Sequence, residues 1–212
     1  MAIQYRNNHF KIVPEKEVEP RFSGYKDHIM NDTLKIREKH IAGYLFAIHY
    51  YKDLNENDEQ IVEQFRSTPD LEMLSIRVRQ VHGDFRIDHV KYFDFDENRF
   101  SPLTVRELYN NKEQMISCES TDSLLPLDGE NYYDLVKYYF ATEKGMEGQF
   151  FSSHYNSGIF TDIEYFPQGL ETDDQDVERG FYGIYAEELM RKMNIPSKMM
   201  IWYMNNEFLP EL

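Results

Sequence analysis

Residues 71–95 read LEMLSIRVRQVHGDFRIDHVKYFDF, and this stretch sets the expectation for the fold. Leu74, Ile76 and Val78 fall on one side of an extended chain, and the serine and arginines between them fall on the other. The residues after the turn alternate in the same way. Because alternation with a period of two is typical of half-buried strands, and a glycine-containing turn joins the two runs, the pattern predicts an antiparallel hairpin that turns at His82–Asp84.

Outward from this hairpin, the sequence predicts a mixture of further strands and helices. Strands are predicted at residues 3–5, 9–13, 44–51, 115–118, 149–155, 159–166 and 199–204. Helices are predicted at residues 27–40, 101–111, 129–142 and 176–193, with a further short helix after a cap at residues 55–58. Hairpins and helices in this order indicate an α+β fold, with antiparallel hairpins and packed helices. We expect one α+β domain over residues 1–212, or two small lobes with a boundary near residues 120–128.

The charge is distributed very unevenly along the chain. The net charge of the 212 residues is -15. Residues 113–178 contain 15 acidic residues, and their only basic residues are Lys137 and Lys144, which gives this segment a net charge of -13. Residues 1–112 have a net charge of -2, and residues 179–212 have none. Concentrated charge of one sign repels itself, so the segment indicates an external partner.

The acidic segment is also rich in tyrosine and phenylalanine, which favours a protein-binding surface. Carboxylates accelerate encounter with a positively charged surface, and aromatic side chains supply contact area. The sign of the charge is wrong for direct binding to nucleic acid or to an anionic membrane. We therefore predict an acidic inhibitor that covers a basic site on a protein partner, as immunity proteins and DNA mimics do. The predicted partner-binding residues are Glu164, Tyr165, Phe166, Glu171, Asp173, Asp174 and Asp176.

A second interpretation is a metal-dependent hydrolase centred on the predicted hairpin. His82, Asp84, Asp88 and His89 are residue types that bind divalent metals and position a water molecule. In a strand, Asp84 and Asp88 would lie on one face and His89 on the opposite face. A further ligand would therefore have to come from another histidine. The favoured binding function requires neither a metal nor another cofactor.

Two other chemical patterns are weaker. Cys118 has no nearby His or Lys in the sequence to activate its thiol, so we expect an ordinary buried cysteine. Ser152 and His154 would share a strand face as a serine–imidazole pair, but no oxyanion-binding loop accompanies them.

The apolar segments are short. The longest apolar stretch, residues 44–48, ends at His49 and is far shorter than a bilayer span. The first residues contain no apolar run of signal-peptide length. On the sequence alone we expect a cytoplasmic protein.

Overall fold

The computed structural model describes nine stretches of the chain, and the elements within them are mainly strands. The described residues are 1–8, 11–69, 71–127, 130–140, 150–156, 159–166, 180–181, 186–192 and 194–210. The strands are β1 (Ala2–Asn7), β2 (Ile12–Val13), β3 (Gly24–Met30), β4 (Thr33–Ile41), β5 (Tyr44–Lys52), β6 (Met73–His82), β7 (Phe85–Asp94), β8 (Arg99–Tyr109), β9 (Met115–Leu127), β10 (Glu130–Phe140), β11 (Phe150–Asn156), β12 (Ile159–Phe166) and β13 (Gly180–Phe181). The helices are α1 (Asp58–Phe65), α2 (Ala186–Lys192) and α3 (Ser197–Met204), and a 3-10 turn spans Glu15–Glu17.

The strands belong to one mixed sheet with the order β13-β12-β11-β10-β9-β8-β7-β6-β5-β4-β3-β1-β2. Strands β5 and β6 pair in parallel, with Ile48 opposite Leu74. Because parallel neighbours need a crossover connection, the chain between them carries α1. The chain divides into two compact units, residues 1–80 with 88–104 and residues 81–87 with 105–212.

The predicted α+β fold with packed helices is wrong, and residues 27–40 show the main reason. This segment forms β3 and β4, which pair in an antiparallel hairpin. The turn residues Asn31 and Asp32 have φ angles of 49° and 60°. Two successive left-handed residues give the tight turn that matches strand twist, and Asn and Asp tolerate it well. The apolar residues of the segment have a helix-like spacing because a two-residue turn separates the two strands that contain them.

Residues 101–111 and 129–142 were also wrongly predicted as helices. Within the first, Ser101 Oγ does accept a hydrogen bond from Leu103 N at 3.1 Å, but the pair lies inside β8 rather than at a helix start. Within the second, β10 pairs with β9 on one side and β11 on the other. A strand with apolar residues on both faces lacks a clear period of two and resembles a helix in sequence.

The C-terminal predictions also need correction. The long helix predicted at 176–193 is represented among the described residues by β13 and the seven-residue α2. The predicted strand at 199–204 is part of α3, which follows Pro196. A short, continuously apolar run has no period by which strand and helix can be told apart.

Several local predictions are confirmed. Strands β6 and β7 are neighbours joined by Gly83 and Asp84, as the central hairpin requires. Helix α1 begins after Asn57, whose side chain accepts a hydrogen bond from Gln60 N at 3.1 Å. Strands β11 and β12 pair in an antiparallel hairpin.

Each unit has its own apolar core. In the first unit, Ile48, Leu74 and Ile76 pack with Ile61 and Val62 of α1. In the second, the core is centred on α3, and its members include Leu108, Leu135, Tyr155, Trp202 and Tyr203.

Candidate functional site

Four acidic residues of the second unit occupy positions on one face of neighbouring strands. In the register, Cys118 of β9 pairs with Val136 of β10, which pairs with His154 of β11, and that histidine pairs with Asp162 of β12. Successive residues of a strand alternate between its two faces. The same face therefore includes the positions of Asp122, Asp134, Asp162 and Glu164, which we call the acidic face.

The opposite face of these strands is covered by α3. Tyr139 and Tyr203 make an edge-to-face contact with ring centroids 5.9 Å apart, and the Tyr155 hydroxyl donates to the carbonyl of Tyr203. Burial raises the pKa of Tyr203 strongly, so its hydroxyl stays protonated and donates to Tyr138 O at 3.1 Å. These contacts place α3 on the side of the sheet opposite the acidic face.

Lys137 is the only lysine or arginine in strands β9–β12, and it lies on the face that α3 covers. The side chain is fully buried. Its Nζ donates to the carbonyl of Trp202, to Asn205 O at 2.6 Å and to Asn205 Oδ1 at 3.3 Å. Burial lowers the pKa of Lys137 to about 7, against a smaller opposing effect of Glu207. The amine thus binds the C-terminal carbonyls of α3 and not the acidic face.

Two other carboxylates of the acidic segment have cationic partners within the same unit. Arg86 pairs with Glu113, and Arg106 pairs with Glu119. Glu119 is buried and occupies the same face as Lys137, because it pairs with Leu135 in the register. The Arg106–Glu119 ion pair therefore lies on the side opposite the acidic face.

Several carboxylates of the first unit are, in contrast, paired with nearby cations. Asp27 accepts hydrogen bonds from Arg6 at 2.8 Å and from Arg37 at 2.7 and 2.9 Å. Asp58 pairs with both Lys52 and Lys91. The excess negative charge in the sequence is therefore a property of the acidic segment.

The predicted partner-binding residues are only partly covered by the described structure. In β12, Glu164 pairs with Ser152 and Phe181, whereas Tyr165 pairs with Phe151 and Gly180. Glu164 and Phe166 occupy positions on the acidic-face side, and Tyr165 occupies the face that α3 covers in β10 and β11. Glu171, Asp173, Asp174 and Asp176 lie outside the described residues.

The residues of the proposed metal cluster differ in their surroundings. Asp88 is fully buried in the first unit, where Arg79 Nε lies 3.2 Å and Arg77 Nη1 lies 3.8 Å from its carboxylate. His82 and Asp84 are exposed residues of the other unit. Among the described residues, no group of three or more His, Cys, Asp or Glu side chains is arranged to hold a metal ion.

The serine–imidazole pair forms as the alternation predicts. Ser152 Oγ and His154 Nε2 lie 2.8 Å apart. The residue Ser152 is 3% exposed, so its hydroxyl is almost covered.

Sequence reasoning missed the role of Lys137 and a polar network in the first unit. The network surrounds His49, whose Nδ1 lies 2.6 Å from Ser75 Oγ. The sequence of β6 carries part of this signal, because Ser75 and Arg77 alternate with apolar residues and therefore share one face.

Comparison of the chain with protein-family models, with curated proteins and with solved structures gives no match. None of the helices in the described part of the chain has the length and apolar character that crossing a membrane requires.

Proposed function

We propose that this chain is a binding protein whose acidic face contacts a basic surface on a macromolecular partner. The mode of action would be inhibition by coverage, as in an immunity protein or a DNA mimic. The proposal assigns Asp122, Asp134, Asp162 and Glu164 to the contact, and Glu164 is shared with the set predicted from sequence.

The observation that carries the proposal is the separation of charges between the two faces of β9–β12. The acidic face includes these four carboxylate positions and no lysine or arginine position among the described residues of these strands. Lys137, which could have balanced them, is buried on the other face against backbone carbonyls. Unbalanced charge of this kind costs stability by self-repulsion and raises the rate of encounter with a charge of opposite sign.

In the first unit, internal ion pairs neutralise several carboxylates, such as Asp27 and Asp58. A protein that merely needed to be acidic for solubility would have no reason to keep cations away from one face. A surface that a basic partner covers has such a reason, because the partner supplies the missing cations.

The experiment compares three immobilised proteins as baits in a lysate of the native host. The first is the wild type, and the second carries D122N, D134N, D162N and E164Q. The third carries E15Q, E17Q, E19Q and E72Q, which change the net charge equally at exposed residues of the first unit. Circular dichroism and melting curves establish that all three are folded.

The proposal predicts a basic protein that the wild type and the control variant retain and the acidic-face variant does not. Binding should weaken as salt is added, because exposed charges are screened over about 8 Å at physiological ionic strength. Equal retention of every bound protein by all three baits would refute the assignment of the contact to this face.

A further inference from the structure

The side chains of Lys137, Asn205 and Glu207 form a connected cluster in the second unit. Lys137 belongs to β10, and the other two residues follow the end of α3. Lys137 Nζ lies 3.3 Å from Asn205 Oδ1 and 2.6 Å from the backbone carbonyl oxygen of the same residue. The fold thus brings an amine to a primary amide that lies 68 residues away in the sequence.

The carboxamide of Asn205 is held at both of its polar atoms. Its Oδ1 accepts a second hydrogen bond, from the backbone N–H of Glu207, with N and O 3.1 Å apart. Its Nδ2 donates to Glu207 Oε2 at 3.0 Å. The backbone N–H draws electrons towards Oδ1, as the donors of an oxyanion hole do, and this makes Cγ more electrophilic. The carboxylate of Glu207 lies beside the nitrogen that would leave in an attack on Cγ.

The amine of Lys137 has the surroundings of a nucleophilic lysine. Its side chain is fully buried, and Nζ lies 4.6 Å from the ring centroid of Trp202 and 4.8 Å from that of Tyr155. Burial lowers the pKa of Lys137 to about 7, although the negative charge of Glu207 opposes the shift. A large share of the amine is therefore neutral at physiological pH. A desolvated neutral amine is the nucleophilic form of lysine, and the two rings exclude competing water.

Deprotonation also directs the amine towards the amide. The ammonium form has three N–H groups, which match its three acceptors, the carbonyl of Trp202 and both oxygens of Asn205. The neutral form has two N–H groups and a lone pair. The longest of the three hydrogen bonds is the one to Asn205 Oδ1, so giving up this bond turns the lone pair towards Cγ.

We propose that Lys137 and Asn205 form a covalent amide bond between their side chains, with Glu207 as the acid and base of the reaction. Nζ adds through its lone pair to Asn205 Cγ, and the π electrons of the carbonyl move to Oδ1. Glu207 takes the proton that Nζ loses and delivers it to Nδ2. The carbonyl forms again as the Cγ–Nδ2 bond breaks, and Nδ2 leaves as ammonia with the electron pair of that bond. One amine and one primary amide thus give one secondary amide and one ammonia.

The surroundings of the cluster allow ammonia to leave. Asn205 is half-buried and Glu207 is exposed, so the leaving nitrogen lies next to solvent. The bond would tie β10 to the residues after α3, and a cross-link of this kind stabilises a fold by restricting the unfolded chain. The reaction begins from the free amine, which is the form to which the pKa of Lys137 refers. The inference concerns the side of the sheet opposite the acidic face, so its outcome does not depend on the proposed partner.

The experiment measures the intact mass of the whole chain after folding and during incubation at pH 8, followed by proteolysis and peptide mapping. The test variant E207Q removes the carboxylate and keeps both Lys137 and Asn205. The matched control is E187Q, at an exposed glutamate of α2. A further variant, K137M, lacks the amine, and circular dichroism establishes that every protein is folded.

The wild type and E187Q should reach a mass lower than that of the sequence by one ammonia, with two peptides joined through Lys137 and Asn205. The bond should form at least about tenfold more slowly in E207Q, because general acid–base catalysis contributes that much or more. It should not form in K137M.

A cyclic imide at Asn205 would also release ammonia, but it joins no two peptides and would form in K137M as well. The proposal is overturned if this imide accounts for the whole mass loss, or if the wild type keeps its full mass. It is equally overturned if folded E207Q forms the bond as fast as E187Q.

Discussion

Replacement of Lys137 by methionine tests how α3 is held on the sheet. The substitution keeps an unbranched apolar stem in the core and removes the amine that binds the Trp202 carbonyl and both oxygens of Asn205. A hydrogen bond to a charged group is worth about 1.5–3 kcal/mol, and a buried acceptor without a donor is costly. Part of this loss is offset because a buried charge is no longer desolvated. We expect K137M to lower the free energy of unfolding by roughly 3 kcal/mol at pH 6.

The difference between the two proteins should also depend on pH. Burial lowers the pKa of Lys137 in the folded chain to about 7, from an ordinary lysine value of 10.5. Between these values the unfolded chain binds a proton that the folded chain does not, so wild-type stability rises with pH. Below about pH 6 the amine is protonated in both states, and its contribution becomes constant. The stability difference should therefore grow above pH 7, by about 1.4 kcal/mol per pH unit at most.

The assay is urea unfolding at pH 6, 7, 8 and 9, followed by the fluorescence of Trp202, the only tryptophan in the chain. The substitution K198M is the matched control, because Lys198 is an exposed residue of α3 itself. A constant difference between wild type and K137M over this pH range would refute the lowered pKa. Equal stability of the two proteins at every pH would refute the role of Lys137 in holding α3.

Three further predictions concern the first unit. The substitution D27N leaves two arginines facing an amide, and it should cost about 3 kcal/mol in urea unfolding. G43A should cost at least about 2 kcal/mol in the same assay, because this residue has a φ of 88° and an added Cβ would lie 2.2 Å from Pro20 O. Although burial opposes the effect, hydrogen bonds from His40 and His28 and the charge of Lys26 lower the pKa of Glu38 to about 2. The stability that this shift provides is present above about pH 4.5 and is lost as the pH falls towards 2, so acid unfolding curves of E38Q should be flatter than those of the wild type.

The sequence predicted the strands of the central hairpin, where apolar and polar residues alternate. Residues 71–95 show that pattern clearly, and the hairpin was found at the predicted place. At residues 27–40, however, the spacing of the apolar residues predicts a helix that would include the turn residues Asn31 and Asp32. Long-range pairing between strands decides whether such a segment forms a helix or a hairpin. The local spacing of residues does not reveal that pairing.

For the candidate site, the sequence predicted the charge but not its arrangement. The acidic segment was evident from composition, whereas the face on which each carboxylate position lies depends on the register between the strands. Successive residues of a strand occupy opposite faces, so Glu164 and the neighbouring Tyr165 lie on different faces of the sheet. A register shift of one residue would exchange these faces. The burial of Lys137 under α3 could not be predicted, because residues 199–204 were expected to form a strand.

The most direct test of the central claim is the association rate constant of the basic partner, measured by stopped flow at 50 and 500 mM salt. We predict that the rate constant of the wild type falls at least tenfold over this range, as expected for electrostatic steering. The first-unit control variant should behave in the same way. The variant with D122N, D134N, D162N and E164Q should have a lower rate constant at 50 mM salt, and this constant should change little as salt is added. An association rate that does not depend on salt, or one that falls equally for the acidic-face variant, would contradict the account.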